Sequence, residues 1–186
     1  MDGRYKMLSD KIINDLKARV ISSKHHPFVI GIAGNSRSGK TTLARKLKDS
    51  FEKLNKKVFI VELDNWIKPK NERLESENVF GRFQLDVLSK DVEGIITGES
   101  VSKGYDIIIV EGVVALSSEQ LRNLYDHKLF IDIDYSTQEK RVRELYTQRK
   151  YEQKEIDQII KTRLDDEFVL IDKDRVFANC VVEGLS

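Results

Sequence analysis

The sequence is short of the features that mark secreted, membrane and nucleic-acid-binding proteins. It has a single cysteine, Cys180, so it can form no internal disulfide, and a reducing cytoplasm fits this usage. No apolar run approaches the length of a membrane span, and the first residues lack the basic and then apolar order of a signal peptide. Lys plus Arg number 32 against 31 for Asp plus Glu, so no overall basic field indicates nucleic acid. We expect a cytoplasmic protein without a membrane or nucleic-acid partner.

Proline and histidine are also scarce. The two prolines, Pro27 and Pro69, fall outside every predicted helix and strand, so neither residue interrupts one. The three histidines show no spacing with cysteines or acids that would build a metal site. A chain of 186 residues suits one domain with a small appendage. We divide it into an N-terminal amphipathic helix with its linker, residues 1–26, and a main domain, residues 27–186.

Apolar stretches rich in valine and isoleucine alternate with segments of helical periodicity. The apolar stretches predict strands at residues 28–33, 58–63, 107–110, 128–134 and 176–182. The periodic segments predict helices at residues 4–22, 39–54, 84–97, 117–125, 136–149 and 152–172. Near-continuous apolar strands separated by helices are typical of a parallel sheet covered on both faces. We therefore expect an α/β fold, with Cys180 as a buried, inert thiol in the last strand.

The motif G-x-x-x-x-G-K-T occupies residues 34–41, directly after the first predicted strand. A buried strand, a glycine-rich turn and the start of a helix form the context in which this motif cradles phosphate with backbone N–H groups. Lys40 is expected to reach the β- and γ-phosphates, and the Thr41 hydroxyl to ligate Mg²⁺. The predicted ATP-binding residues are Gly34, Asn35, Ser36, Arg37, Ser38, Gly39, Lys40, Thr41 and Thr42.

Several acids follow predicted strands, at the sheet edge where α/β proteins bind their ligands. Glu111 is positioned to hold Mg²⁺ opposite Thr41, with Gly112 leaving space for that approach; its alternative is a turn acid or a helix cap. Asp64 is a candidate to accept the proton of an acceptor hydroxyl, and its alternative is the N-cap of the next segment. Asp132 and Asp134 fit a turn or a solvated strand end as well as a site.

Cationic side chains mark two further candidate segments. Arg141, Arg143 and Arg149 lie on a predicted helix and could close over the polyphosphate as a lid, although a solvated helix face with i,i+4 ion pairs is an equal alternative. Arg82 beside Phe83 suggests a pocket for an anionic or planar acceptor, against the alternative of a loop with a hydrophobic anchor.

Four segments, at residues 28–34, 38–44, 63–66 and 108–116, resemble the uridine kinase and phosphoribulokinase group of P-loop kinases. The resemblance extends over roughly residues 28–182 and includes Arg141-Val142-Arg143, which is similar to the group's arginine-bearing lid. It implies a P-loop nucleoside triphosphate hydrolase-type three-layer fold with a five-stranded parallel sheet and a lid helix. It further implies ATP- and Mg²⁺-dependent phosphorylation of a small-molecule hydroxyl.

The resemblance also implies roles for individual residues. Asp64 takes the position of the catalytic acid, with Lys40 and Arg143 as the catalytic cations. This sequence departs from uridine kinases where Ile67 follows Trp66 in place of a tyrosine, and in residues 78–84, which lack a His-Pro-Asp stretch. Asp64, Trp66, Arg82 and Phe83 are the candidate acceptor-binding residues. The acceptor stays open, as does a second function, a nucleotide-dependent switch or accessory NTPase without a small-molecule acceptor.

Overall fold

A computed structural model describes residues 3–25, 27–73, 78–98 and 104–184. Within these ranges the strands are β1 (Phe28–Gly34), β2 (Val58–Glu62), β3 (Ile107–Glu111), β4 (His127–Asp132) and β5 (Cys180–Glu183). The α-helices are α1 (Gly3–Ser22), α2 (Lys40–Glu52), α3 (Leu85–Thr97), α4 (Glu119–Asn123), α5 (Tyr135–Gln148), α6 (Gln153–Thr162) and α7 (Val169–Asp172). Short 3₁₀ helices occupy Leu63–Trp66, Lys70–Glu72 and Lys173–Phe177, and a π-helical turn joins α6 to α7 at Arg163–Phe168.

The strands form one parallel sheet in the order β2-β3-β1-β4-β5. Alternate residues of β1 face opposite sides of this sheet, as the two-residue period of a strand requires. Ile30 and Ile32 join a core shared with α1 and α2, whereas Val29 and Ala33 join a core on the other face with α3, α4 and α7. The predicted three-layer α/β architecture is therefore confirmed.

The N-terminal helix α1 packs against the same side of the sheet as α2. Its buried face is built from Ile12, Ile13, Leu16 and Val20, at the spacing of one helical stripe. The domain boundary after residue 26 stays a prediction, and residues 1, 2 and 26 themselves lie outside the described ranges. Of the described helices, none combines the length and hydropathy needed to cross a bilayer.

The fifth strand is shorter than the sequence predicts. Val176 and Phe177 belong to a 3₁₀ helix, where Val176 is 79% exposed, and pairing with β4 begins only at Cys180. Apolar composition alone suggested a strand from residue 176, but a short apolar run does not distinguish a strand from a 3₁₀ turn. Cys180 is half-buried at the edge of the core, so the prediction of a buried thiol is wrong.

Candidate active site

The phosphate loop runs from the end of β1 to the start of α2, as the motif predicts. Gly39 is the N-cap of α2 with a φ of 108°, and Gly34 has a φ of 141°. A Cβ atom on Gly34 would lie 2.5 Å from the carbonyl oxygen of Ile131, so a larger residue has no room there. Both glycines therefore adopt backbone conformations that residues with a Cβ atom rarely take.

The loop residues divide into those that face a cavity and those that support the loop. The cavity-facing members are Ser36, Arg37, Gly39, Lys40, Thr41 and Thr42. Asn35 and Ser38 are buried beneath them, and Gly34 packs against β4. The Lys40 Nζ atom donates to the Asn35 carbonyl oxygen at 2.9 Å, which holds the ammonium over the loop. An anion in this cavity would meet backbone N–H groups and a held cation together.

The cavity itself has a volume of about 570 Å³, which is in the range of small-molecule sites. It lies outside the carboxyl ends of the strands, where an open α/β sheet binds ligands. Beyond the phosphate loop, its walls come from three regions: the segments after β2 and β3, the last turns of α5, and the π-helical turn. Their lining residues are Asp64, Ile67, Arg73, Val79, Arg82, Phe83, Glu111, Val113, Arg141, Leu145, Tyr146, Arg149 and Glu167.

Glu111 and Thr41 meet at the floor of this cavity. The Thr41 hydroxyl donates to Glu111 Oε1 at 2.6 Å, and the Glu111 side chain is buried at the end of β3. Burial raises the pKa of this carboxyl, while the Thr41 hydrogen bond and nearby Lys40 oppose that rise. The structure thus places Glu111 in direct contact with the phosphate loop.

These oxygen atoms fit a magnesium ion. Mg²⁺ prefers hard oxygen ligands and usually takes only one or two from the protein, with the rest from phosphates and water. The Thr41 hydroxyl and the Glu111 carboxylate supply such a pair beside the phosphate loop. In the described ranges no group of three or more His, Cys, Asp or Glu side chains is placed to hold a metal ion by itself.

Asp64 lies at the rim of the same cavity, on the 3₁₀ turn that follows β2. Its carboxylate is exposed, and the N-cap of the turn is Glu62, so Asp64 does not serve as the cap. Gly112 determines how closely this turn approaches β3, because a Cβ atom there would lie 2.6 Å from Leu63 Cβ. The small residue after Glu111 thus makes room for the turn that carries Asp64, while its role in the approach of Glu111 to the loop stays a prediction.

The predicted acceptor residues separate into two groups. Arg82 and Phe83 line the cavity, and Arg82 Nη2 pairs with Asp166 Oδ2 at 3.0 Å. Trp66 does not line it: its indole N–H donates to Asp91 Oδ2 at 2.8 Å, and its ring packs against the core. Trp66 therefore acts as a structural residue in this arrangement, because the 3₁₀ turn points it toward α3.

The arginines of the predicted lid also separate, and the lid itself stays a prediction. Arg141 and Leu145 of α5 and Arg149 at its C-cap follow one another at four-residue intervals, and all three line the cavity. Arg141 Nη1 donates to the Arg37 carbonyl oxygen at 2.9 Å, which joins α5 to the phosphate loop. Arg143, predicted to be catalytic, does not reach the cavity.

Arg143 instead lies on a solvated helix face with ion pairs, which was the alternative to a lid. It pairs with Glu139, one turn earlier, at 2.8 Å and with Asp157 of α6 at 2.6 Å. Both pairs raise the pKa of this guanidinium. Two residues along a helix lie on different faces, so Arg141 and Arg143 cannot both point into one cavity.

The acids at the end of β4 and just beyond it have structural roles. Asp132 pairs with Arg175 at 3.0 Å. Asp134 is the N-cap of α5, where it accepts hydrogen bonds from the Ser136 hydroxyl and from Thr137, and these bonds hold the pKa of its carboxyl well below the usual range. This agrees with the turn alternative that the sequence left open.

Two charged lining residues were missed by sequence reasoning, along with apolar and aromatic ones such as Val79, Val113 and Tyr146. Arg73 follows a 3₁₀ turn, and its Nε donates to the Lys68 carbonyl oxygen at 2.7 Å. Glu167 is 131 residues from the phosphate loop, yet its Oε1 accepts a hydrogen bond from the Ser36 N–H at 2.6 Å. No motif surrounds either residue, so only the fold reveals that they share a cavity with Lys40.

Known proteins resemble this chain in sequence and in fold. A family model described as the phosphoribulokinase / uridine kinase family matches residues 29–91. The uridine kinase of Geobacillus kaustophilus (strain HTA426) is 33% identical over 132 residues, which cover 58% of this chain and 62% of the relative. This chain is similar to the uridine kinases. The uridine kinase of Brevibacillus brevis (strain 47) is 29% identical over 133 residues, or 59% of this chain and 61% of that relative.

The chain thus spans about three fifths of the length of these uridine kinases. Among solved structures, a Bacillus stearothermophilus protein described as a possible uridine kinase superposes with a TM-score of 0.71 at 17% identity. That match covers 95% of this chain and 98% of the other, so the likeness of fold extends over nearly the whole chain. The resemblance to the uridine kinase and phosphoribulokinase group, predicted from the motifs, is confirmed.

Proposed function

We propose that this protein transfers the γ-phosphoryl group of ATP to a hydroxyl of a small molecule. One observation carries the proposal: the Thr41–Glu111 pair and the exposed carboxylate of Asp64 line the same cavity. The first pair suits the metal that accompanies a nucleoside triphosphate. Asp64 lines the cavity and does not cap the turn on which it lies, so its carboxylate is available to an acceptor.

The phosphate end of the nucleotide lies, in this proposal, on the N–H groups at the start of α2. Lys40 compensates the charge of the β- and γ-phosphate oxygens, and Thr41 and Glu111 would hold Mg²⁺. When bound, Mg²⁺ would neutralise charge on the phosphate oxygens and help to orient them. Arg141, which already contacts the loop backbone, takes the role that the sequence gave to Arg143. Its planar guanidinium can bind phosphate oxygens in pairs.

Asp64 acts on the acceptor. Its carboxylate accepts the proton of the acceptor hydroxyl as that oxygen forms its bond to the γ-phosphorus and the bond to the β–γ bridging oxygen breaks. ADP and the phosphorylated acceptor result. Because phosphoryl transfer has a loose transition state, the protein's main tasks are to position the two reactants and to stabilise charge. A second wall of the cavity, formed by Ile67, Val79 and Phe83, supplies apolar surface against which an acceptor can lie.

Two classes of alcohol are candidate acceptors. The curated relatives are uridine kinases, so nucleosides are the first candidates. Arg73 and Arg82 add cations to the acceptor side of the cavity, so anionic alcohols such as sugar phosphates belong in the same panel. We likewise propose ATP as the nucleotide, Mg²⁺ as the metal and a cytoplasmic location.

The test is an acceptor panel read by ADP formation and by mass spectrometry of the acceptor. Wild type should show ADP formation that depends on one acceptor class, with a mass gain of one phosphoryl group. Asp64→Asn should lose at least about a hundredfold in kcat, the scale of a general base, while its ATP affinity stays near wild type. Asp49→Asn, an exposed acid on α2 outside the cavity, is the matched control and should retain wild-type rates.

Two results would contradict the proposal. If ATP binds but no acceptor raises turnover above basal hydrolysis, the accessory NTPase becomes the better account. If Asp64→Asn abolishes ATP binding together with transfer, Asp64 belongs to the nucleotide or metal site and not to the acceptor site.

A further inference from the structure

Glu167 is a buried carboxylate that lies directly on the phosphate loop. Its Oε1 accepts the Ser36 N–H at 2.6 Å, and the side chain is only 3% exposed although it lines the cavity. The N–H groups of such a loop are the ones that bind phosphate oxygens. One of these donors is therefore already bound to an anionic group of the protein itself.

The backbone presents Glu167 from an unusual segment. It lies on the π-helical turn between α6 and α7, at Arg163–Phe168. Such turns are rare, and they are often found at functional sites because the extra residue redirects the side chains that follow it. Here the turn directs the neighbouring residues 166 and 167 toward two different walls of the cavity.

Asp166 contacts the acceptor wall while Glu167 contacts the phosphate loop. The Asp166 carboxylate pairs with Arg82 and also accepts a hydrogen bond from the Val79 N–H. Ser36 and Arg82 are thereby connected through two successive residues of one turn. A movement that withdraws Glu167 from Ser36 would also change the environment of Arg82.

Position along the loop decides which phosphate meets Ser36. The backbone N–H groups at the start of α2 would hold the inner phosphates, whereas the Ser36 N–H lies toward the other end of the loop, beside the Glu167 turn, and would meet the terminal phosphate that the Lys40 side chain also reaches. In the proposed reaction the terminal phosphate points away from the helix and toward Asp64 and the acceptor. A diphosphate, one phosphate shorter, extends less far in that direction.

We propose that Glu167 determines nucleotide specificity by competing with the terminal phosphate of ATP for the Ser36 N–H. ATP displaces the carboxylate, whereas ADP leaves it bound. Glu167 therefore weakens ATP binding relative to ADP binding, and it returns to the loop once the phosphoryl group has left. The inference rests on the proposed function, since it takes a nucleoside triphosphate as the ligand of the loop.

The test compares the affinities of ATP and ADP, each with Mg²⁺, by isothermal titration calorimetry. Glu167→Gln keeps the size of the side chain and removes its charge, so it should tighten ATP binding by about tenfold or more, the scale of a lost charge-assisted hydrogen bond. ADP affinity should change by less than about threefold. Glu144→Gln makes the same change of charge at an exposed site on α5 outside the cavity, and both affinities should stay at wild-type values.

If circular dichroism shows that Glu167→Gln does not fold, a second variant tests the inference. Glu167→Asp retains the charge but shortens the side chain by one methylene, so it should tighten ATP binding less than Glu167→Gln does. Weaker ATP binding in these variants would overturn the inference and show that Glu167 braces the loop. Equal tightening of ATP and ADP, or no change for either, would overturn it as well. If the wild type binds neither nucleotide, the proposed function itself fails, and that outcome is distinct from the others.

Discussion

Replacing Thr41 with valine tests the contact on which the metal site depends. The substitution keeps the shape of the side chain and removes the hydroxyl that donates to Glu111 at 2.6 Å. The Glu111 carboxylate is only 5% exposed, so water cannot easily replace the lost donor. Hydrogen bonds to charged groups contribute about 1.5–3 kcal/mol, and the free energy of unfolding should fall by about 2 kcal/mol at neutral pH. For a domain of this size, that corresponds to roughly 4–8 °C in Tm.

The charge of Glu111 accounts for much of this effect, and a double-mutant cycle can isolate it. In a Glu111→Gln background the Thr41 hydroxyl donates only to a neutral amide, so the same Thr41→Val change should cost about 1 kcal/mol. The coupling energy between the two positions should therefore be about 1 kcal/mol. Urea unfolding of the four proteins, followed by circular dichroism without nucleotide and with EDTA, provides these values. Equal losses in both backgrounds would refute the idea that Thr41 stabilises a buried carboxylate.

Two further predictions concern the same sheet. Burial raises the pKa of Glu111 in the folded state, so at a pH between the usual and the raised value the folded protein holds a proton that the unfolded chain releases. The free energy of unfolding must therefore fall as pH rises through that window, and Glu111→Gln should flatten this part of a profile of urea stability against pH. An unchanged slope would mean that other groups cause it. Gly31→Ala should lower the free energy of unfolding by about 1–3 kcal/mol, because the new Cβ atom would lie 2.6 Å from Tyr125 Cε2 and the ring is buried. Urea unfolding in a Tyr125→Leu background should show a smaller loss, and an equal one would mean that the ring is not the obstacle.

Much of this fold could be predicted from local pattern. The β1 and β3 segments are continuous apolar runs, and both form where expected, because a strand buried on both faces has few alternatives to valine and isoleucine. The phosphate loop follows from its glycines, since Gly34 and Gly39 adopt backbone conformations that few other residues tolerate. The strand prediction was wrong for residues 176–179, because apolar composition does not show whether a segment pairs with a neighbouring strand.

The candidate site was less accessible to sequence reasoning. Arg141 and Arg143 have the same chemistry and lie two residues apart, and only the rotation of α5 about its axis selects Arg141 for the cavity. Trp66 is a second example, since its side chain points away from the cavity and donates to Asp91 of α3. Glu167 reaches the loop through a π-helical turn far along the chain, and no local pattern reports such a contact. Strand ends identify the chemistry of a site, whereas tertiary packing selects which residues reach it.

The central claim is that a phosphoryl group passes from ATP to an acceptor that Asp64 deprotonates. Rapid-quench single-turnover kinetics with ATP labelled at the γ-phosphorus tests it most directly, using the acceptor that the panel identifies. In wild type, the label should leave ATP and appear in the acceptor at the same rate, with little free phosphate. In Asp64→Asn the transfer rate should fall at least about a hundredfold while labelled ATP stays bound. Label that appears as inorganic phosphate at the same rate with and without acceptor would contradict the account.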